Sequence, residues 1–244
     1  MGKHFSDRHF NNRQFNNKHS GKKRRRHLQA FETAEIIEFH NSKFEAERHL
    51  PPLLPLNPTQ ATYLDALRRG PQVVVLGPAG TGKTWIAATH AADQFRNGFI
   101  ERIILTRPNV PCGRSLGYFP GTLEDKFAPW ALPVTEAIKE RIGKAAYEIA
   151  LKRGDIQMVP FEVMRGRSWK NAFVLFDEAQ NSTAAEMKTF LTRIGEHCTV
   201  VINGDVSQCD LDQTSGLRTV IHMIKSQMLP VPVIEFTQIG RAHV

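Results

Sequence analysis

The chain has 244 residues, and its composition, with 41% hydrophobic and 23% charged residues, is that of an ordinary globular protein with one α/β domain and additional segments. The net charge of +8 lies entirely in residues 1–27, which hold nine Lys/Arg and one acid, so charge does not mark the rest of the chain as nucleic-acid binding. No apolar run approaches the roughly 20 residues of a membrane span, and the polar N-terminus lacks the apolar core of a signal peptide, so we expect a cytoplasmic protein with no membrane partner.

Residues 1–27 are rich in Asn, His, Arg and Lys and are predicted to be a disordered basic tail, because such a segment cannot bury enough apolar area to offset its ordering entropy. Two interpretations of the tail stay open. Either the run Lys22–Arg26 contacts nucleic-acid phosphates, or the tail is solvated and has no specific partner. Residues 28–57 are predicted to form a short amphipathic helix followed by a proline-rich linker, since several prolines interrupt the helical pattern.

The next segment combines a helix start with a candidate base contact. Asn57 and Pro58 are typical of the first positions of a helix, which is predicted over Thr59–Arg68. Gln60 lies upstream of a glycine-rich loop, where many superfamily-1 helicases place a glutamine that recognises the adenine edge. Gln60 is therefore a candidate adenine contact, and a solvated helix residue is an equally good interpretation.

The stretch Val73–Thr84, VVVLGPAGTGKT, fits the phosphate-binding loop pattern G-x-x-x-x-G-K-[ST]. Its context agrees, since Gln72–Leu76 is predicted as a strand and Thr84–Asn97 as a helix. The glycines allow a tight turn whose N–H groups cradle an anion at the helix start. Lys83 can reach the β- and γ-phosphates, and the Thr84 hydroxyl is a candidate ligand for Mg²⁺. The predicted nucleotide-binding residues are Gly77, Pro78, Ala79, Gly80, Thr81, Gly82, Lys83 and Thr84.

A second strand is predicted over Arg102–Thr106, and Arg107 follows at its carboxyl end, where parallel α/β sheets bind ligands. Arg107 is a candidate phosphate or polynucleotide contact, and a surface arginine is the alternative. The segment Gly113–Trp130 is predicted as a long functional loop, because it is rich in Gly and Pro yet carries four aromatic residues. A helix is then predicted from Pro133 to Gly154, with apolar core positions at helical spacing: Val134, Ile138, Ile142, Ala145 and Ile149.

Two arginines follow the strand predicted over Asp155–Pro160. Arg165 and Arg167 flank a glycine, which suits phosphate contacts, although three such residues alone are weak evidence for nucleic-acid binding.

The apolar run Ala172–Phe176 predicts a strand buried on both faces, and it ends in Asp177-Glu178. Behind a phosphate loop, such a pair is typical of the second nucleotide-hydrolase motif. In that role Asp177 holds Mg²⁺ through water, and Glu178 is the catalytic residue that orients and deprotonates the attacking water.

The remaining elements supply a third polar cluster. Thr183-x-x-Glu186 is a capping box that opens a helix closed by Gly195. The strand Thr199–Asn203 leads into Gly204-Asp205-Val206-Ser207-Gln208. Gln208 is the best candidate for sensing the γ-phosphate, because its amide can bond the phosphate or the attacking water. Asp205 is a candidate supporting partner, and a plain turn is the alternative. A last helix and strand are predicted over Ser215–Met228 and Val233–Phe236.

Taken together, these residues resemble the PhoH family, ATP-binding proteins often induced by phosphate starvation. The resemblance runs from about Pro58 to Thr237 and rests on these motifs in order: GPAGTGKT at 77–84, ILTRP at 104–108, LGYFPG at 116–121, MRGR at 164–167, FDEAQN at 176–181, FLTRIG at 190–195 and GDVSQCDL at 204–211. It implies a RecA-like P-loop NTPase fold similar to one motor domain of superfamily-1 helicases, with a mostly parallel sheet and helices on both faces. It also implies Mg²⁺-dependent ATP hydrolysis and a role in RNA metabolism. By position it supports Gly80, Gly82, Lys83, Thr84, Asp177, Glu178 and Gln208 as nucleotide-site residues and favours Arg107, Arg165 and Arg167 as functional.

The resemblance places the ATPase domain at residues 58–238. Residues 1–57 are too short for the PIN nuclease domain that some family members carry, so nuclease activity is not expected. The hexapeptide 239–244, IGRAHV, is also what one frame of a widely used sequencing adapter encodes, and we expect it to be a non-native tail. Family members usually continue with an Arg-His-Pro-like motif, so an arginine that completes the ATP site is expected to be missing.

Two functions are open. In the first, the chain is an ATPase coupled to RNA, and because one motor domain alone does not grip and release a strand, a homo-oligomeric ring or a partner is expected. In the second, the chain is a nucleic-acid-binding protein that carries ATP as a ligand with negligible hydrolysis, and its basic tail supplies the affinity. RNA is favoured over DNA through the resemblance alone.

Overall fold

The computed structural model describes residues 50–108, 123–161, 164, 166–209 and 215–237, and for helix residues 123–129 it describes the backbone only. All of these residues belong to one unit, Ser42–Val244. The tail 1–27, the helix predicted within residues 28–49, Arg165 and the hexapeptide 239–244 lie outside the described residues. Those predictions therefore stay predictions, as do the domain boundaries.

Six strands form the sheet: β1 (Gln72–Leu76), β2 (Arg102–Arg107), β3 (Ile156–Pro160), β4 (Ala172–Phe176), β5 (Thr199–Gly204) and β6 (Val233–Glu235). Their order is β3-β2-β4-β5-β1-β6, and every hydrogen-bonded pair among them is parallel. The apolar runs predicted from the sequence explain the arrangement, because strands covered on both faces carry few polar residues. All five residues of β4 are buried. The predicted α/β fold with a mostly parallel sheet is confirmed.

The described helices are α1 (Pro58–Arg69), α2 (Lys83–Arg96), α3 (Leu123–Ile142), α4 (Lys144–Arg153), α5 (Ala184–Leu191) and α6 (Gly216–Ser226), and a 3₁₀ turn spans Ala179–Asn181. The predicted caps are present. Asn57 accepts a hydrogen bond from the Gln60 N–H at the start of α1, and Thr183 and Glu186 form the complete capping box of α5. None of the described helices is both long enough and apolar enough to cross a lipid bilayer.

Helices cover both faces of the sheet, as predicted. Successive strand residues point to opposite faces, so Val73 and Val75 pack with α1, α2, α3 and α4, whereas Val74 and Leu76 pack with α5 and α6. The two apolar layers hold the sheet between them. The polar residues that follow the strands consequently lie at the edge of the sheet formed by the carboxyl ends of the strands.

The structure corrects the helix predicted from Pro133 to Gly154. Helix α3 already begins at Leu123, so part of the predicted loop Gly113–Trp130 is helical, and the rest of that loop lies outside the described residues. Gly143 then separates α3 from α4, because its φ of +85° is outside the helical region. The break rotates the second helix, so the predicted core residue Ala145 is exposed and Ile149 is only half-buried, while Tyr147 and Ala150 are buried instead.

Candidate functional site

The carboxyl ends of β1, β2, β4 and β5 meet at one crevice of about 290 Å³. Parallel α/β sheets bind ligands at this edge. The crevice brings together most of the residues selected from the sequence. Its lining residues are Gly77, Ala79, Gly80, Thr81, Gly82, Lys83, Thr84, Trp85, Arg107, Trp130, Pro133, Asp177, Glu178, Gly204, Asp205 and Gln208.

The loop after β1 is built around Lys83, the first residue of α2. The Lys83 ammonium donates hydrogen bonds to the carbonyl oxygens of Gly77 at 2.6 Å and Pro78 at 2.7 Å, and it lies 3.3 Å from the Thr81 hydroxyl. Burial holds the pKa of Lys83 below its ordinary value, and nearby carboxylates, Asp177 first, act in the opposite direction. The site therefore holds a desolvated lysine at the start of a helix, which suits an anionic ligand.

Gly77 gives the loop its close contact with the neighbouring chain segment. Its φ is +136°, and a Cβ at this position would lie 2.4 Å from the Phe236 carbonyl oxygen. Only glycine fits both the backbone angle and this contact. The first glycine of the motif is thus required by the packing of the loop against the segment after β6.

Thr84 and Asp177 connect the loop to the end of β4. The Thr84 hydroxyl donates to Asp177 Oδ1 at 3.0 Å, and the Asn203 amide nitrogen lies 3.4 Å from the same hydroxyl. Burial raises the pKa of Asp177, the charge of Glu178 adds to this, and the Thr84 hydroxyl, Arg107 and Asn203 act in the opposite direction. Two residues separated by 93 positions in sequence are therefore in contact at the point where Mg²⁺ binding was predicted.

Glu178 has a backbone angle that is uncommon for its residue type. Its φ is +53°, in the left-handed region that non-glycine residues seldom adopt. Such angles cost free energy and persist where the surrounding structure enforces them, often at functional sites. The Glu178 carboxylate accepts a hydrogen bond of 2.6 Å from the side-chain amide of Gln180.

The turn after β5 carries Asp205 and Gln208. Asp205 Oδ1 accepts hydrogen bonds from the Ser207 backbone N–H at 2.9 Å and the Ser207 hydroxyl at 2.6 Å. The Gln208 N–H donates to the Asp205 carbonyl at 3.1 Å, which closes the turn. Gln208 lines the crevice, as its predicted role requires. Asp205 shapes the turn.

Arg107 lies at the crevice, stacked on an aromatic ring. Its guanidinium carbon is 4.6 Å from the ring centroid of Trp130, a cation–π arrangement. Trp130 lies on α3, lines the crevice and is 48% exposed. The sequence pointed to Arg107 by its position after a strand, whereas Trp130 was noted only as one aromatic residue of a predicted loop.

Two of the remaining sequence candidates, Gln60 and Arg167, lie outside the crevice lining. Gln60 lies behind the loop, where its side-chain oxygen accepts from the Leu56 N–H at 2.8 Å and its amide nitrogen is 3.4 Å from the Thr81 carbonyl oxygen. Arg167 is exposed near the edge strand β3 and donates to Gln157 at 3.2 Å. Arg165 is outside the described residues. The roles predicted for these three residues stay predictions.

Gln180 and Asn203 are polar residues at the site that the sequence analysis did not select. Both are buried. Each stands next to a selected motif, since Asn203 is the last residue of the predicted strand and Gln180 is two residues after Glu178. The sequence signal that could have identified these two residues is a polar residue at or just after the end of an apolar strand.

Gly204→Ala is expected to destabilise the fold by about 1–3 kcal/mol, because overpacking a filled site forces neighbouring atoms to move. A Cβ at Gly204 would lie 2.5 Å from Leu217 Cδ2 and 2.8 Å from Gln180 Oε1. Gly70→Ala is the matched control, since its nearest neighbour would be 3.9 Å away. Urea denaturation measures both, and equal midpoints for the two variants would contradict the packing argument.

Comparisons with known proteins place the chain among related sequences. A family model described as PhoH-like protein matches residues 52–244. Protein PhoH of Escherichia coli (strain K12) is 40% identical over 193 residues, which are 78% of this chain and 54% of that protein. The PhoH-like protein of Bacillus subtilis (strain 168) is 45% identical over 168 residues, 68% of this chain and 53% of that protein. The chain therefore spans about half the length of the curated relatives it matches.

Two solved structures show distant likeness. Pif1 helicase from Candida albicans matches with a TM-score of 0.39 and 17% identity, covering 77% of this chain and 42% of the helicase. The large terminase from a thermophilic bacteriophage matches with a TM-score of 0.40 and 10% identity, covering 82% of this chain and 45% of the terminase. Likeness at this level does not inform the function.

Proposed function

The chain belongs to the PhoH-like protein family, and we propose that it binds ATP with Mg²⁺ and hydrolyses it in the crevice at the strand ends. One observation carries the proposal. Lys83 lines the same crevice as Asp177 and Glu178, and Thr84 contacts Asp177 directly. A buried ammonium, a loop of backbone N–H groups and two carboxylates in one crevice are parts that enzymes use for phosphoryl transfer to water.

Each residue has a separate task in this proposal. The loop 77–84 holds the β- and γ-phosphates with its N–H groups, and Lys83 gives up its carbonyl partners to contact them. Glu178 orients the attacking water and accepts its proton. Gln208 bonds the γ-phosphate or the water and so reports which nucleotide is present.

The donor set at Thr84 and Asp177 fits Mg²⁺. The two side-chain oxygens are 3.0 Å apart, and among the described residues Asn203 Oδ1 and Asp205 Oδ2 are buried oxygens with no hydrogen-bond partner. Mg²⁺ prefers oxygen ligands and keeps several waters. Thr84 and Asp177 would hold the ion, which when bound offsets the negative charge of the phosphates.

The direct test is hydrolysis of radiolabelled ATP by the full chain, with and without Mg²⁺, alongside calorimetric titration of ATP. Hydrolysis that depends on Mg²⁺ and saturates at the affinity found by titration supports the proposal. Binding without hydrolysis at any Mg²⁺ concentration contradicts the enzymatic part and leaves ATP as a ligand.

We further propose that hydrolysis is coupled to RNA and that Arg107 contributes to RNA binding. Arg107 lies at the carboxyl end of β2 beside the crevice, with Trp130 stacked against it. An arginine held there can contact an RNA phosphate and the bound nucleotide at the same time. A homo-oligomeric ring and a cytoplasmic location stay predictions.

RNA is expected to raise the rate of ATP hydrolysis, and Arg107→Ala is expected to raise the RNA concentration for half-maximal stimulation about tenfold, the effect of losing one charged hydrogen bond. Arg102→Ala is the matched control, because Arg102 is exposed at the opposite end of the same strand. Stimulation curves measured for the three proteins decide the point. A rate that does not respond to RNA, or equal shifts in both variants, contradicts the coupling proposed here.

The second candidate function is nucleic-acid binding with ATP as a ligand only. The basic run Lys22–Arg26 supports it, since such a run binds phosphates without sequence preference. This function predicts RNA binding that falls steeply with salt, with a log–log slope of roughly −0.7 per phosphate contacted. It also predicts that binding is lost when the five basic residues become Gln and is unaffected by Glu178→Gln.

A further inference from the structure

Gln180 is a buried side chain with both ends of its amide engaged. It lies in the 3₁₀ turn after β4 and is 1% exposed. Its amide nitrogen donates to Glu178 Oε2 at 2.6 Å, and its amide oxygen accepts from the Asp205 backbone N–H at 3.0 Å. One side chain therefore connects the end of β4 to the end of β5.

The Glu178 end of this connection restrains a carboxylate on an unusual backbone. Glu178 adopts a φ of +53°, and its carbonyl oxygen accepts from the Asn181 N–H at 3.1 Å. This backbone contact fixes the main chain but not the side chain. The Gln180 side-chain amide contacts the Glu178 carboxylate itself and so restrains its position.

The Asp205 end of the connection belongs to the turn that presents Gln208. That turn is closed on itself by bonds between Asp205, Ser207 and Gln208. The N–H of Asp205, the first residue of the turn, donates to Gln180 Oε1. Gly204 allows the Gln180 side chain to come this close, because a Cβ at Gly204 would lie 2.8 Å from Gln180 Oε1. The Gln180 backbone carbonyl also accepts from the Cys209 thiol at 3.3 Å, so the turn is held at both of its ends.

We propose that Gln180 is a positioning residue that sets Glu178 at a fixed distance from the Gln208 turn, so that one water is held between the carboxylate and the Gln208 amide. This deepens the ATP hydrolysis proposed above and rests on it. An amide is needed because it offers a donor and an acceptor at once. Methionine loses both, whereas a carboxyl group keeps the acceptor for Asp205 but stands next to the Glu178 carboxylate, with which it shares a proton or which it repels.

The experiment compares Gln180→Met, Gln180→Glu and Ser182→Ala with the unchanged full chain. Ser182→Ala is the matched control, because the buried Ser182 hydroxyl donates to the Ala179 carbonyl at 2.7 Å at the end of the same turn, a bond that does not involve Glu178. Measurements are kcat and Kd for ATP, thermal unfolding, and hydrogen–deuterium exchange at the Asp205 amide.

Gln180→Met is expected to lower kcat about 100-fold, part of the effect of a general base, with the Kd for ATP changed less than about threefold because the phosphate loop is untouched. Exchange at Asp205 is expected to rise roughly tenfold, the effect of one lost hydrogen bond. Gln180→Glu is expected to keep Asp205 protected, because a carboxyl oxygen can still accept from the Asp205 N–H. Ser182→Ala is expected to leave kcat and Asp205 exchange within about threefold of the unchanged chain, even where its unfolding temperature falls.

The outcomes distinguish failure of the positioning role from failure of the proposed ATP hydrolysis. Hydrolysis by Gln180→Met within threefold of the unchanged chain overturns the positioning role alone. The same follows where Gln180→Met loses no more kcat than Ser182→Ala at an equal fall in unfolding temperature. An unchanged chain that binds ATP without hydrolysing it overturns the proposed function and the positioning role with it.

Discussion

Lys83→Ala is expected to abolish ATP turnover and to weaken ATP binding by at least about 100-fold. The ammonium is the buried cation of the crevice loop, and its loss removes the positive charge that the loop itself offers to a triphosphate lying near Asp177, Glu178 and Asp205. Removing one preorganised charge donor from an active site costs about 10²–10³ in rate. Calorimetric titration and a hydrolysis assay measure the two effects.

The control for Lys83→Ala is Lys152→Ala, which removes an exposed lysine from α4 and should change neither quantity. Thermal unfolding of Lys83→Ala separates a lost contact from a lost fold. The Gly77 and Pro78 carbonyls lose a donor in this variant, but they line or adjoin an open crevice where water can replace it. Turnover that survives the change in a folded variant contradicts the site assignment.

The order of the strands explains why the site forms where it does. The phosphate loop follows β1 and the acidic pair follows β4, and β5 lies between those two strands. The end of β5 must therefore bridge the two halves of the site. The Asn203 amide contacts the Thr84 hydroxyl on one side, and the Asp205 N–H donates to the Gln180 side chain on the other. A site split across a central strand depends on that strand's polar end for its geometry.

The sequence predicted the elements whose signals are local. The bounds of β1 and β4 follow from apolar runs closed by polar or glycine residues, and the capping box of α5 is a contact between neighbours. The crevice itself was predicted because parallel strands end at one edge, so motifs at their carboxyl ends meet. These inferences need only the chain order and the pattern of burial.

The start of α3 and the break at Gly143 were not predicted, because their causes are not local. Pro129 and Pro133 favour a loop or a helix start in isolation, yet both lie inside α3, which packs along α2. A glycine occurs within helices as well as between them, so the sequence alone does not show that Gly143 ends a helix; its φ of +85° in the structure does.

The role of Gln180 was missed for a different reason. Its two partners, Glu178 and Asp205, follow different strands, β4 and β5, which are connected by a crossover. The spacing of residues in the sequence does not show which polar side chains become buried and paired in the fold.

Glu178→Gln is expected to lower kcat for ATP by about 10²–10⁴, the usual contribution of a general base, while the Kd for ATP changes less than about threefold or improves. The amide keeps the volume of the side chain and still offers an oxygen to the Gln180 N–H, so the turn after β4 should stay in place. What it loses is the basic oxygen that accepts a proton from water. Single-turnover hydrolysis and ATP titration separate the two effects.

Glu140→Gln controls for charge, because Glu140 is exposed on α3 and its change removes the same unit of negative charge away from the crevice. A Glu178→Gln variant that hydrolyses ATP within tenfold of the unchanged chain shows that another group accepts the proton. Because the variant is expected to bind ATP without hydrolysing it, it also tests whether hydrolysis changes the affinity for RNA. RNA affinity that differs between the ATP-bound variant and the ADP-bound unchanged chain indicates a nucleotide switch, whereas equal affinities in both states contradict any coupling between the crevice and RNA.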